Sequence, residues 1–259
     1  MAKKVDFLKT IAQAAYSGWS AFMTGFWLVV LAPFGIFPLI PEIKSLEKAA
    51  YRVVRLWGQL SMWTAGYFYE IEGRENFKKD EAYVVIGNHR SRLDILVLAA
   101  TLPHKFKVLG KAEVLAIPFI GFGFRYVGIA VKRESKESRA ASLKALRKKV
   151  DEGWNILVFP EGTYTTPGEK LSEFRNGSFK MAIETKTPIM PMVIEDTSRL
   201  VPDGTWQMFP GKVRVKFLPA VSVEGYEKGD VSELRDKVHQ LIEAELTTDC
   251  YAVLPPQNV

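Results

Sequence analysis

His89 and Asp94 form the pair in this chain whose types and spacing could do acid–base chemistry. They lie within residues 84–98, where an apolar strand runs into a polar turn and an apolar helix follows. On one continuous helix, residues five apart stand about 140° apart around the axis and could not face each other. His89 must therefore precede the helix. With His89 on the loop and Asp94 in the first helical turn, the carboxylate can accept a hydrogen bond from one ring nitrogen. The other nitrogen is then left to take a proton from a hydroxyl, and the helix N-terminus favours the negative charge. A second reading is open for the same residues: Ser91-Arg92-Leu93-Asp94 ahead of an apolar run is a capping box, with Asp94 satisfying backbone donors.

The elements that must hold this pair fall into two parts. From Thr10 to Pro41 there is no Asp, Glu, Lys or Arg, and about 20 apolar residues suffice to span a bilayer. Pro33 and Pro38 favour a helix to about Leu31, a break, and a second helix from about Ile43. The result is a membrane-associated helical hairpin over residues 1–66. In its second arm Lys44, Lys48, Arg52 and Arg55 hold a basic face suited to anionic headgroups, with Trp57 and Trp63 at their level. Another uncharged run covers Leu56 to Tyr69.

Over residues 67–259 short apolar runs alternate with helical patterns, predicting an α/β domain with a mixed sheet flanked by helices. Strands are expected at Tyr83–Ile86, Phe106–Leu109, Gly128–Val131, Ile156–Phe159, Ile189–Ile194 and Val213–Phe217. Helices are expected at Ser135–Asp151 and Val231–Leu246, the second opened by Asp230 with Glu233 as a capping box. Ser178 reads as a helix N-cap.

With 35 Lys and Arg against 29 Asp and Glu, the chain favours anionic partners. Its aromatics cluster in apolar segments instead of interleaving with basic residues, which argues against nucleic acid. The single cysteine, Cys250, cannot form an internal disulfide. With His89, His104 and His239 it offers no zinc spacing, so no metal is expected. A nucleophilic hydrolase is disfavoured because no Gly-x-Ser-x-Gly occurs. A silent lipid-binding protein would have no use for His89 beside Asp94.

Asn88-His89-Arg90-Ser91-Arg92-Leu93-Asp94 resembles the Asn-His-x4-Asp motif of the glycerolipid acyltransferases, specifically the 1-acylglycerol-3-phosphate acyltransferases. Their further blocks follow in order as Gly128–Arg133, Phe159-Pro160-Glu161-Gly162-Thr163 and Thr187–Met192. More likeness lies in Leu109–Glu113 with Ile117-Pro118 and in Phe174–Ala182. The resemblance runs from about Ile71 to Ala220. It implies His89 as general base and Asp94 as its orienter, with Arg133, Glu161, Gly162 and Thr163 holding the polar part of a lysophospholipid acceptor. Lys111 is implied to meet phosphate or the developing oxyanion. No cofactor is expected; acyl-CoA or acyl-carrier protein is the donor substrate, and the lipid bilayer the third partner. The thioester supply and the basic residues near the apolar run point to the cytoplasmic face of the inner (plasma) membrane.

Two positions depart from the family pattern. Lys132 stands where an acid precedes the arginine of the second block, and Tyr164 stands where the third continues with arginine. Neither is expected to touch the base. The second removes a cation from beside the acceptor phosphate, for which Lys132 or Lys111 is expected to compensate. Acyl transfer to a different lysolipid is therefore the nearest alternative.

Overall fold

The computed structural model describes residues 2–36, 44–78, 81–102, 105–116, 120–131, 135–166 and 168–247. Two long helices open the chain, α1 (Ala2–Ile36) and α2 (Lys44–Thr64). Strand β1 (Tyr67–Glu72) comes next, followed by β2 (Val84–Gly87), α3 (Leu93–Thr101), β3 (Phe106–Lys111), α4 (Ile120–Val127), β4 (Gly128–Val131) and α5 (Lys136–Asp151). The order then continues with β5 (Asn155–Val158), α6 (Gly177–Thr185), β6 (Ile189–Glu195), α7 (Thr197–Leu200), β7 (Gly211–Phe217) and α8 (Val231–Glu245).

The strands form one seven-stranded sheet in the order β1-β7-β6-β2-β5-β3-β4. The β6–β7 pair is antiparallel and the other pairs are parallel, so the mixed sheet expected from the sequence is present. The central strands β2, β5 and β6 are buried along their whole length, as continuous apolar strands covered on both faces must be. Alternate residues feed two cores: Val85, Leu157 and Met190 face α2 and α3, while Val84, Ile156 and Ile189 face α5, α6 and α8. Such three-layer packing places the carboxyl ends of β2, β5 and β3 at one edge, where open α/β sheets bind ligands.

α1 and α2 pack antiparallel. Tyr16 hydroxyl donates to the Ala65 carbonyl at 2.5 Å, Trp19 Nε1 to the Thr64 carbonyl at 3.0 Å and Trp57 Nε1 to the Thr24 carbonyl at 3.1 Å. The expected stop near Leu31 is not where α1 ends. The helix runs through Pro33 to Ile36, because a proline near a helix C-terminus removes one ladder bond and leaves most of the helix intact. The segment holding Pro38 lies outside the described residues. Of the basic residues on α2, Arg55 turns inward and donates to the Leu102 carbonyl; the side chains of Lys44 and Lys48 are outside the described set.

The expected strands appear within two residues of their ends, and Ser135 caps α5 by accepting from the Ser138 amide at 3.0 Å. One strand is not among those expected: β1, whose residues Tyr67 to Glu72 pair with β7. Two capping expectations fail. Asp230 makes no side-chain cap to α8 and accepts instead from the Glu227 amide. Ser178 lies inside α6, whose N-cap position is Asn176.

Gly58 lets α2 approach α3 closely. A Cβ there would lie 2.7 Å from both the Ala100 amide nitrogen and Ala99 Cβ, and 2.9 Å from the Ala99 carbonyl carbon. Backbone cannot yield as a flexible side chain does, so Gly58→Ala is expected to cost about 1–3 kcal/mol. Thermal melts should show a fall of about 2–4 °C per kcal/mol; an unchanged melting temperature would mean that the helices can part freely.

Candidate active site

The polar turn after β2 carries His89, and each residue around it is tied to a different part of the fold. Asn88, fully buried, donates from Nδ2 to the Ile194 carbonyl and accepts from the Ile194 amide, both at 2.8 Å. Its amide thereby continues the β2–β6 pairing one step past the strand. The His89 amide donates to Glu161 Oε1 at 2.7 Å, and the His89 carbonyl accepts from the Thr165 amide at 2.7 Å and the Thr165 hydroxyl at 3.2 Å. The loop after β5 thus clamps the backbone of His89 from both sides. Arg90 fastens the far part of that loop by donating to the Glu169 and Lys170 carbonyls.

His89 Nδ1 lies 2.8 Å from Asp94 Oδ2. The same oxygen accepts from the Arg90 amide at 2.8 Å and the Ser91 amide at 3.0 Å. Ser91 Oγ accepts in turn from the Leu93 amide at 3.1 Å. The capping reading and the base-orienting reading therefore hold together on one carboxylate. Two amides that can only donate mark Oδ2 as an acceptor, so the His89 Nδ1–H donates to it, and in the neutral imidazole the lone pair is then on Nε2. Asp94 is fully buried and the His89 side chain is 16% exposed. Phe159 stacks on the imidazole at 4.0 Å with planes 7° apart, and the Tyr164 ring meets it edge-on at 4.4 Å. Contrary to the expectation that neither departure touches the base, Tyr164 packs directly against it.

A cavity of about 860 Å³ opens beside His89, lined by α1, α2, α3, β3, α4 and the loop after β5. Its walls are almost wholly apolar, with Leu28, Val54, Leu96, Val108 and Phe124 among them, and Lys111, Gly162, Thr163 and Tyr164 near the pair. Lys111 closes β3 with an exposed side chain. Gly162 adopts φ 79°, which a side chain would strain, and so lets the loop backbone turn into the cavity. Arg133 and Lys132 lie outside the described residues.

Glu161 sits differently from the expected ligand-facing position. It is buried, and its carboxylate is used within the protein: Oε1 by the His89 amide, and Oε2 by the Thr165 hydroxyl at 2.6 Å and the Ser172 amide at 3.2 Å. Burial pushes its carboxyl above the usual range, against the opposing pull of Thr165, His89 and Ser172. It is a positioning residue for the His89 turn. A raised carboxyl pKa contributes stability that is full below the ordinary value of about 4.3 and is lost as pH rises through the folded value. Glu161→Gln, which turns an NH2 group toward one of three donors, is expected to cost about 1–3 kcal/mol and to lower kcat roughly tenfold or more by displacing His89. Its melting temperature should fall less than that of the parent as pH rises across that interval; equal slopes would exclude Glu161 as the titrating group.

Thr165, Ser172 and Asn88 gave no sequence signal of these roles: Thr165 acts on His89, 76 residues away, Asn88 on Ile194, 106 residues away, and Ser172 on Glu161 within the loop that reaches His89.

An α/β sheet that presents a His–Asp pair at its carboxyl edge, beside an apolar cavity roofed by two N-terminal helices, has the layout of an enzyme that does acid–base chemistry in an apolar setting. The acyltransferase family model matches residues 69–195, so that stretch carries an acyltransferase domain. Among its relatives, the 1-acyl-sn-glycerol-3-phosphate acyltransferase BAT2, chloroplastic, of Brassica napus is 32% identical over 161 residues, which is 61% of this chain and 46% of the relative. The chain thus matches about half the length of that relative. The 1-acyl-sn-glycerol-3-phosphate acyltransferase alpha of Mus musculus is 28% identical over 91% of this chain and 81% of its own. The crystal structure of the 1-acyl-sn-glycerophosphate (LPA) acyltransferase PlsC from Thermotoga maritima superposes with a TM-score of 0.78 at 25% identity, over 92% of this chain and 95% of that one.

Proposed function

We propose that this chain is a 1-acyl-sn-glycerol-3-phosphate acyltransferase, transferring an acyl group from acyl-CoA or acyl-carrier protein to the sn-2 hydroxyl and making phosphatidate for phospholipid biosynthesis. The observation that carries this reading is the His89–Asp94 pair opening onto an apolar cavity; the names of the relatives supply the acceptor. In the reaction, His89 Nε2 takes the hydroxyl proton as the oxygen attacks the thioester carbonyl. A C–O bond forms, and the carbonyl electrons pass to a tetrahedral oxyanion. Lys111 and the Thr163 amide would stabilise it, the Gly162 amide being taken by the Phe159 carbonyl. Collapse breaks the C–S bond, and the leaving thiolate takes the proton from the imidazolium. Asp94 stabilises the imidazolium while it exists.

The membrane completes the proposal. α1 contains an apolar stretch, Phe7–Phe34, of which the most apolar window is 11% buried. Phe22 and Phe26 project from it with 58% and 42% exposure. An apolar face of this extent is a lipid-contacting surface, and the hairpin would hold the cavity mouth where acyl chains already reside. The cytoplasmic face of the membrane is where thioester donors are supplied.

The decisive assay is transfer from long-chain acyl-CoA and, in parallel, acyl-carrier protein to lysophosphatidate by purified protein. Phosphatidate formed with either donor supports the reading, and no product with folded protein defeats it. A panel of other lysolipids then tests the same chemistry on another acceptor. Flotation with phospholipid vesicles tests the membrane arm. Phe22→Lys with Phe26→Lys, each charge costing about 2.5–3.5 kcal/mol in hydrocarbon, is expected to move most of the protein to the unbound fraction. Undiminished flotation of the double variant would remove α1 as the anchor.

A further inference from the structure

We infer that Arg92 binds the phosphate of the acceptor and so sets which lysolipid this site accepts; the inference rests on the function just proposed. Among the described residues lining the cavity there is no Asp or Glu, and the cations are Arg92 and Lys111. The two lining cations offer an anionic headgroup its counter-charges, while the nearby carboxylate of Asp94 is buried behind His89.

The two cations lie on opposite sides of the base. In the sheet, β2 stands between β5 and β6. Lys111 closes β3, on the far side of β5. Arg92 instead reaches toward the segment before β7, donating from Nη2 to the Thr205 carbonyl and lying 5.5 Å from the centroid of the Trp206 ring.

Arg92 is the better placed of the two for the acceptor. It shares the turn of His89, and at the Tyr164 hydroxyl, which burial and the charges of Asp203 and Asp94 push upward, its charge supplies the smaller opposing pull. Tyr164 in turn packs on His89. Arg92, Tyr164 and His89 thus surround one region of the cavity. In the proposed acceptor only C2, C3 and the ester oxygen separate the reacting hydroxyl oxygen from phosphorus, so a hydroxyl delivered to His89 brings its phosphate into that region.

The state of the guanidinium fits this use. Among the described residues no carboxylate forms an ion pair with Arg92, whereas Arg90 is occupied by two loop carbonyls. Nε of Arg92 is enclosed, so the donors offered to a ligand are those of the terminal nitrogens. A guanidinium braced by one carbonyl and an indole is oriented for forked donation to phosphate oxygens.

The test compares the full-length protein with Arg92→Gln and Arg92→Lys. Lysophosphatidate and a monoacylglycerol of the same chain are the acceptors, and one acyl donor is held at saturation. Equilibrium binding of a fluorescent lysophosphatidate is measured alongside. Arg92→Gln is expected to raise the lysophosphatidate KM and dissociation constant on the order of 10- to 100-fold, with a much smaller change in kcat and none in the monoacylglycerol KM. Arg92→Lys, which keeps the charge but not the fork, is expected to recover only part of the loss and to leave the lysophosphatidate KM several-fold above the parent. An Arg92→Gln protein whose lysophosphatidate KM stays within about twofold of the parent, or rises equally for both acceptors, overturns the inference while the proposed function stands. A parent protein that neither acylates nor binds lysophosphatidate overturns the proposed function itself, and the inference with it. If Arg92→Gln melts well below the parent, the Arg92→Lys protein decides by its KM against kcat alone.

Discussion

Replacing His89 by alanine is expected to lower acyl transfer by a factor of about 10²–10⁴, the usual contribution of a positioned general base, with little change in fold. The imidazole accepts no load-carrying contact from the core: its Nδ1 meets Asp94, its faces meet Phe159 and Tyr164, and its backbone is held by Glu161 and Thr165 through main-chain atoms that alanine keeps. Initial rates at saturating donor, beside circular dichroism and a thermal melt, check both halves. A His89→Ala protein that folds and retains more than about a tenth of the parental rate would show that the proton leaves by another route, and the base assignment would be withdrawn.

Asp94 variants should separate orientation from charge. In Asp94→Ala three donors lose their shared acceptor: His89 Nδ1–H and the amides of Arg90 and Ser91. Each unsatisfied buried donor costs about 1–3 kcal/mol, and the turn that carries His89 loses its anchor to α3. Asp94→Ala should therefore lose both stability and nearly as much activity as His89→Ala.

Asp94→Asn is expected to behave differently. The two backbone amides at Oδ2 will hold the carbonyl oxygen of the asparagine there, where it still accepts from His89 Nδ1–H and preserves the tautomer. The NH2 group then takes the place of Oδ1, which has no partner among the described residues. What is lost is chiefly the negative charge beside the imidazolium, and a rate loss of roughly 10- to 100-fold follows if that charge contributes about 1.5–3 kcal/mol. Rates ordered as parent, Asp94→Asn, Asp94→Ala and His89→Ala support this division. An Asp94→Asn protein as inactive as His89→Ala would mean that the amide has turned over and imposed the wrong tautomer, as happens where no backbone donors pin the oxygen.

Much of the fold was legible in the residues. Val84–Gly87, Asn155–Val158 and Ile189–Glu195 are short apolar runs bounded by polar turns, and strands buried on both faces have that texture. β1 was not legible, because its first residues, Tyr67–Tyr69, continue an uncharged run out of α2 and the segment becomes a strand only by pairing with β7, more than 140 residues later. The end of α1 was misplaced because Pro33 forbids only one ladder bond, a loss that the last turn of a helix can carry without stopping there.

In the site, the five-residue spacing of His89 and Asp94 by itself determined that the histidine lies ahead of the helix and the carboxylate in its first turn, because helical geometry admits no other way for them to meet. The residues also determined the apolar N-terminal arm and the absence of a serine-nucleophile motif. Only the tertiary structure decided that Glu161 holds the His89 backbone instead of facing the cavity, that Tyr164 touches the base, and that Arg92 shares the cavity with Lys111. These contacts join turns that follow different strands of a parallel sheet, and such turns are brought together by strand order and crossover connections that leave no local periodicity in the chain.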